Sequence, residues 1–224
     1  MKLIIVKEKI KKPQFVGNIN ELDETILCIE EFVNLSKTYH IKMKDVRKII
    51  ANNGKTFENT YIEKVGEEST YSERGKLYNQ FVGDFFELFA EFFLKTYNND
   101  RRFGINNYEP VTENDYGVDG KGESYDDIPN RTPVVVQVKF RSNIIDEIAY
   151  SCLANTAWQG VKNFNIDINK NSNVILFTSS NGANYIAKKE IGNNLFEINT
   201  NSIEEEIGTN HFWIDFQKSF LENI

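Results

Sequence analysis

The sequence predicts an α/β fold with a mainly helical N-terminal extension. Three observations point there. The apolar runs NVILFTSS (173–180) and LFEIN (195–199) have strand length and alternate with segments of helical periodicity. A third run, PVVVQVKFRS (133–142), reads as a strand ahead of them. Residues 20–50, by contrast, show only helical spacing. Strands interleaved with helices argue for a sheet with at least one parallel crossover.

A chain of 224 residues has ample length for a substantial core. Cys28 and Cys152 stand far apart without ligand-like spacing, which fits free thiols and an expected cytosolic location. No apolar run approaches the roughly 20 residues of a membrane span. The opening MKLIIVKEKIKK lacks the apolar centre and small-residue cleavage site of a signal peptide. The net charge is −7, with residues 61–130 and 191–224 acidic and 1–60 and 131–190 mildly basic. By global charge the chain is therefore expected to be a poor non-specific DNA binder, while a local basic surface can still meet phosphates.

In chain order, KLIIV (2–6) predicts a short strand followed by a basic turn. Leu22, Ile26, Ile29, Phe32, Val33 and Leu35 then fall at helical spacing, as do Val46, Ile49 and Ile50. NINE (18–21) is available to cap the first of these helices. ANNGKT (51–56) breaks the pattern and VGEESTYSERGK (65–76) reads as a loop. The expected boundary lies near residue 70, dividing a helical region of unassigned role (1–70) from a domain over 71–224.

LYNQFVGDFFELFAEFFLKTY (77–97) gives the strongest helix signal. Phe81, Phe85, Phe89, Phe92 and Phe93 form a core stripe, opposite Asp84, Glu87, Glu91 and Lys95. Glu91 and Lys95 suit a surface pair at i, i+4. Glu87 sits at the edge of the apolar arc, where a carboxylate can reach a cleft. In TENDYGVDGKG (112–122), Gly117, Gly120 and Gly122 permit tight turns around Asp115 and Asp119. ESYDDIPNRTP (123–133) reads as a connection, and residues 144–164, 182–190 and 203–222 as helices. His40 and His211 are expected to be structural, and Trp158 and Trp213 to pack in the core or between helices.

Within 133–142, Val135, Gln137 and Lys139 share one strand face, and Val134, Val136, Val138 and Phe140 share the other. A solvent-facing edge strand would account for the two polar residues, and so would a site. Asp119 precedes Gln137 by eighteen residues, a helix carrying Glu87 comes before them, and helix–strand–helix follows. This arrangement resembles the PD-(D/E)xK nuclease superfamily, and within it the Mrr-like restriction endonucleases with their D…QxK variant. FFELFAEFFL (85–94), NDYGVDGKG (114–122) and VVVQVKFRS (134–142) are similar to that family's helix, acidic turn and strand. The likeness spans residues 77–200. The turn departs from the family at Asn114, where Gly is usual, and Asp115 serves equally well as a turn cap.

The resemblance implies a restriction-endonuclease-like mixed central sheet flanked by helices, and a Mg²⁺-dependent DNA endonuclease of restriction, defence or mobile-element type. Mn²⁺ is the expected substitute. It implies Asp119, Gln137 and Glu87 as metal ligands and Lys139 as the residue at the scissile phosphate or the attacking water. Arg141, one strand step beyond, would hold a DNA phosphate or form a surface ion pair. The chemistry suits these residue types, because phosphodiester hydrolysis needs an activated water and relief of charge on the phosphate. Gln137 offers only an amide oxygen, so weak metal binding is expected without DNA. A homodimer would suit double-strand cleavage, and a helicase or recognition subunit is a compatible partner. Two other readings remain open: a non-catalytic DNA- or protein-binding module on the same fold, and a nuclease for branched DNA such as a four-way junction.

Overall fold

The computed structural model describes residues 1–11, 21–65, 71–113, 116–125, 131–167, 169 and 171–224. The chain divides into two compact units, Met1–Leu88 with Glu204–Ile224, and Phe89–Ile203. The boundary expected near residue 70 falls at residues outside those described. Among the described residues no helix is long and apolar enough to cross a membrane.

The first unit is helical. It comprises α1 (Leu22–Ser36), α2 (Met43–Val65), most of α3 (Tyr71–Thr96) and α7 (Asn210–Leu221). Its core is aromatic: Phe32 stacks on Trp213 with ring centroids 4.1 Å apart, and Phe85 lies between Phe81 and Phe216. The KLIIV segment is not a strand; the chain is helical from residue 4, with a π-helical turn over Val6–Ile10. Leu3, Ile5, Val6 and Ile10 are all buried. A short apolar run does not by itself distinguish a strand from a buried helical turn, and the unit offers it no strand to pair with among the described residues.

ANNGKT also departs from expectation, since α2 continues through it to Val65. Gly54 is a packing position there. A Cβ on it would stand 2.8 Å from Val82 Cγ1 and 3.1 Å from the Tyr78 ring of α3. Helix α3 begins at Tyr71, inside the expected loop, and residues 66–70 lie outside the description. The cap expected from NINE rests largely on residues 18–20, which are likewise outside it; α1 begins directly after Glu21.

The second unit holds a five-stranded mixed sheet in the order β1-β2-β3-β4-β5. Strands β1 (Ile105–Pro110), β2 (Gly120–Ser124) and β3 (Pro133–Lys139) pair antiparallel. Parallel pairing then joins β3 to β4 (Val174–Thr178) and β4 to β5 (Leu195–Ile198). Helices α4 (Tyr150–Asn163) and α5 (Tyr185–Ile191) make the two crossovers. Val135 and Val174 pack with Ala157 of α4, whereas Phe177 meets Phe89 and Phe93 from the end of α3, so both sheet faces are covered.

Residues 144–149 precede α4 as turns and an isolated bridge, where a helix was expected. The terminal helix is two, α6 (Thr200–Ile207) and α7, interrupted at Gly208 and Thr209. Strands β1 and β2 lie in stretches that look like loop. INNYEP is polar and carries a register shift, and β2 is built on Gly120 and Gly122, which lie against the Tyr108 ring and the Asn106 carbonyl. Glu91 is fully buried, so its 2.6 Å pair with Lys95 is no surface pair.

Candidate functional site

Strand β3 is central, with β2 and β4 on either side, which rules out the edge-strand explanation of Gln137 and Lys139. Gln137 is only 2% exposed and lies on the face that α4 covers. A buried primary amide must satisfy two donors and an acceptor. Its environment supplies Asp119 on one side and α4 on the other.

Asp119 arrives from a tight turn in which Tyr116 (φ 51°) and Gly117 (φ 85°) adopt left-handed backbone. Its main chain is clamped from both directions: its N–H donates to Val136 O at 2.9 Å, and its carbonyl accepts from Val111 N at 3.0 Å. The carboxylate is thereby laid against the end of β3. Its Oδ2 accepts from Gln137 Nε2 and from the Val138 N–H at 2.7 Å, and Lys139 Nζ stands 3.6 Å away. Two hydrogen bonds and one ion pair from three consecutive residues converge on one oxygen. The side chain of Asp119 is 10% exposed and that of Lys139 31%, so the pair opens toward solvent at the lysine.

Further along, Arg141 has its backbone fixed by Ser179. The Arg141 N–H donates to Ser179 Oγ at 2.7 Å, and Ser179 Oγ donates to Arg141 O at 2.9 Å. The Arg141 guanidinium donates to Phe140 O at 3.0 Å and stays partly exposed. Glu87 belongs to the first unit, where its carboxylate pairs with Lys9 Nζ at 2.6 Å. Asn114 and Asp115 lie outside the described residues.

Two contributors have no signal in the sequence, Thr156 and Cys152 of α4. Thr156 Oγ1 donates toward Gln137 Oε1 at 2.6 Å and also lies 2.9 Å from Gly117 O. Cys152 Sγ is 3.6 Å from the same Oε1. Burial pushes the Cys152 thiol up, Asp119 adding to the effect while Lys139 and Arg141 oppose it, so the sulfur keeps its proton and donates. Both cysteines are free.

A hard cation wants oxygen ligands. Among the described residues no three His, Cys, Asp or Glu side chains gather into a metal-binding group. One carboxylate and one amide oxygen would together suit only a weakly held divalent cation completed by water. The amide presents its nitrogen, not its oxygen, to Asp119.

Of the remaining candidates, Trp213 is core and donates from Nε1 to Ile207 O at 2.8 Å. Trp158 is 64% exposed, contrary to expectation, because the polar and apolar positions of α4 leave it on the outer face. There it lines a surface cleft of about 350 Å³ with Tyr150, Ala154 and Ile191. His211 lies exposed beside Asp215, 3.1 Å away.

No family model and no curated protein matches the chain. Among solved structures, it is similar to the MspJI restriction endonuclease in complex with a 27-mer oligonucleotide. That likeness has 17% identity and a TM-score of 0.38, and it covers 61% of this chain and 31% of the other.

Proposed function

We propose that this chain is a divalent-cation-dependent deoxyribonuclease built on a restriction-endonuclease-like core, with DNA as its substrate. The observation that carries the proposal is the meeting of Asp119, Gln137 and Lys139 at one carboxylate oxygen. Asp119 and Gln137 would hold Mg²⁺ or Mn²⁺. The cation would supply Lewis-acid stabilisation of the phosphate and a more acidic bound water. Lys139, the most exposed of the three, would orient the attacking water or bind the scissile phosphate oxygen. Its closeness to Asp119 keeps the ammonium aimed into the site before substrate arrives. Arg141, with its backbone fixed by Ser179, would bind a neighbouring phosphate.

The test is supercoiled plasmid incubated with Mg²⁺ or Mn²⁺ against an EDTA control. Cation-dependent nicking is expected, and Asp119→Ala and Lys139→Ala should each reduce it by about 10²-fold or more, the scale of losing one catalytic group. Wild-type nicking by both variants would end the assignment.

One observation favours a second reading, a non-catalytic DNA-binding module on the same fold. The amide nitrogen of Gln137 satisfies Asp119 with no cation required. Plasmid left intact under every metal, together with salt-sensitive DNA binding, would select it.

A further inference from the structure

We propose that the Thr156 hydroxyl is a positioning group that allows the Gln137 side-chain amide to turn over when a divalent cation binds at Asp119; this rests on the metal-dependent reading above. Gln137 Nε2 donates to Asp119 Oδ2, and its Oε1 accepts from Thr156 and Cys152. Without a cation this orientation is dictated by charge, since the opposite one would set an amide oxygen against a carboxylate oxygen. A cation on Asp119 reverses the preference, because it needs the amide oxygen and repels the NH₂ group. Rotation of the terminal amide by half a turn exchanges the two ends within the same volume, and that torsion is soft and roughly two-fold.

What decides the cost is the far end of the amide, which is buried from bulk solvent. Thr156 is fully buried. A hydroxyl both donates and accepts, so it can serve either end of the amide. In the observed state it gives its proton to Oε1. In the turned state it would accept from Nε2 and pass its own proton to Gly117 O, already 2.9 Å away, or to Cys152 O at 3.2 Å. The amide end facing α4 and the Thr156 hydroxyl then keep a partner in either state, while the Cys152 sulfur changes from donor to weak acceptor. Valine fills the same space and serves neither.

The test follows Mg²⁺ titration of the free protein by ¹⁵N–¹H NMR, with NaCl at matched ionic strength as control. The Val138 N–H, bonded to Asp119, reports cation arrival, and the Gln137 side-chain NH₂, assigned by its loss in Gln137→Glu, reports the amide. Both should shift together in the wild type. Valine removes one hydrogen bond from the observed state but two from the turned one, so Thr156→Val should raise the Mg²⁺ midpoint about tenfold, the net loss of one bond, with Thr156→Ser within about twofold of wild type. In plasmid nicking the same variant should need more Mg²⁺ for half-maximal rate while approaching the wild-type rate at saturation. If Val138 shifts and Gln137 does not, or if Thr156→Val titrates like wild type, the turnover is wrong and the cation site survives. If neither signal moves, the cation site itself fails and the turnover with it. Should Thr156→Val not fold, the wild-type titration alone still decides.

Discussion

At Asp119, two hydrogen bonds, one of them from a backbone N–H, and the Lys139 ammonium 3.6 Å away meet a single carboxylate oxygen. That makes the carboxylate structural as well as chemical, and substitutions here act on both accounts. Gln137→Glu separates them. It would place a second acid against Asp119 in a buried setting, where like charges oppose folding. The variant should melt several degrees below wild type in EDTA, at about 2–4 °C per kcal/mol for a chain of this size. Mg²⁺ should restore much of the loss, because two facing carboxylates make a stronger cation site than one. Melting curves with and without MgCl₂ check this; a variant indifferent to Mg²⁺ would show that the two side chains do not share a cation.

Among the elements, α2 and α3 illustrate how a residue that reads as a breaker acts as a spacer. A Cβ at Gly54 would come within 2.8 Å of Val82 Cγ1, and a branched valine has little freedom to withdraw. Gly75 of α3 has nothing within 4 Å of where its Cβ would stand. Alanine at either site gains up to about 1 kcal/mol of helix propensity over glycine. At Gly75 that gain should appear as added stability. At Gly54 overpacking of about 1–3 kcal/mol should outweigh it. Urea denaturation of Gly54→Ala and Gly75→Ala should therefore give shifts of opposite sign, and equal shifts would mean that α2 and α3 do not approach closely at Gly54.

At the scale of the whole molecule, one strong contribution to the pH dependence of stability comes from Glu21 of the first unit. Burial, reinforced by Asp84 and opposed by Lys9, pushes the Glu21 carboxyl from its ordinary 4.5 up to about 9. Burial raises Asp84 as well. The unfolded chain releases the Glu21 proton near its ordinary value, while the folded chain holds it to the end of that window. Fewer protons are bound when unfolded, so stability falls as pH rises between those two values. Glu21→Gln keeps the neutral form at every pH. Its stability relative to wild type should therefore be greater at about pH 8 than at about pH 5, Asp84 leaving some slope in both. Urea midpoints at the two pH values measure it; parallel profiles would contradict the assignment.

The sequence by itself determined the interleaved strands and helices, the buried Phe stripe of α3, and the pairing of Asp119 with Gln137 and Lys139 as candidates. These are legible because side-chain periodicity along a few turns or strand steps records which face is buried. Strands β1 and β2 escaped because one is polar and irregular and the other is built on glycine, so their pairing comes from neighbours and not from their own pattern. Tertiary structure alone decided that β3 is central, that Gln137 turns its nitrogen to Asp119, and that Thr156 holds the oxygen. Those outcomes depend on how α4 docks on the sheet, joining residues eighteen and nineteen positions apart to a single buried amide, and no local pattern carries that information.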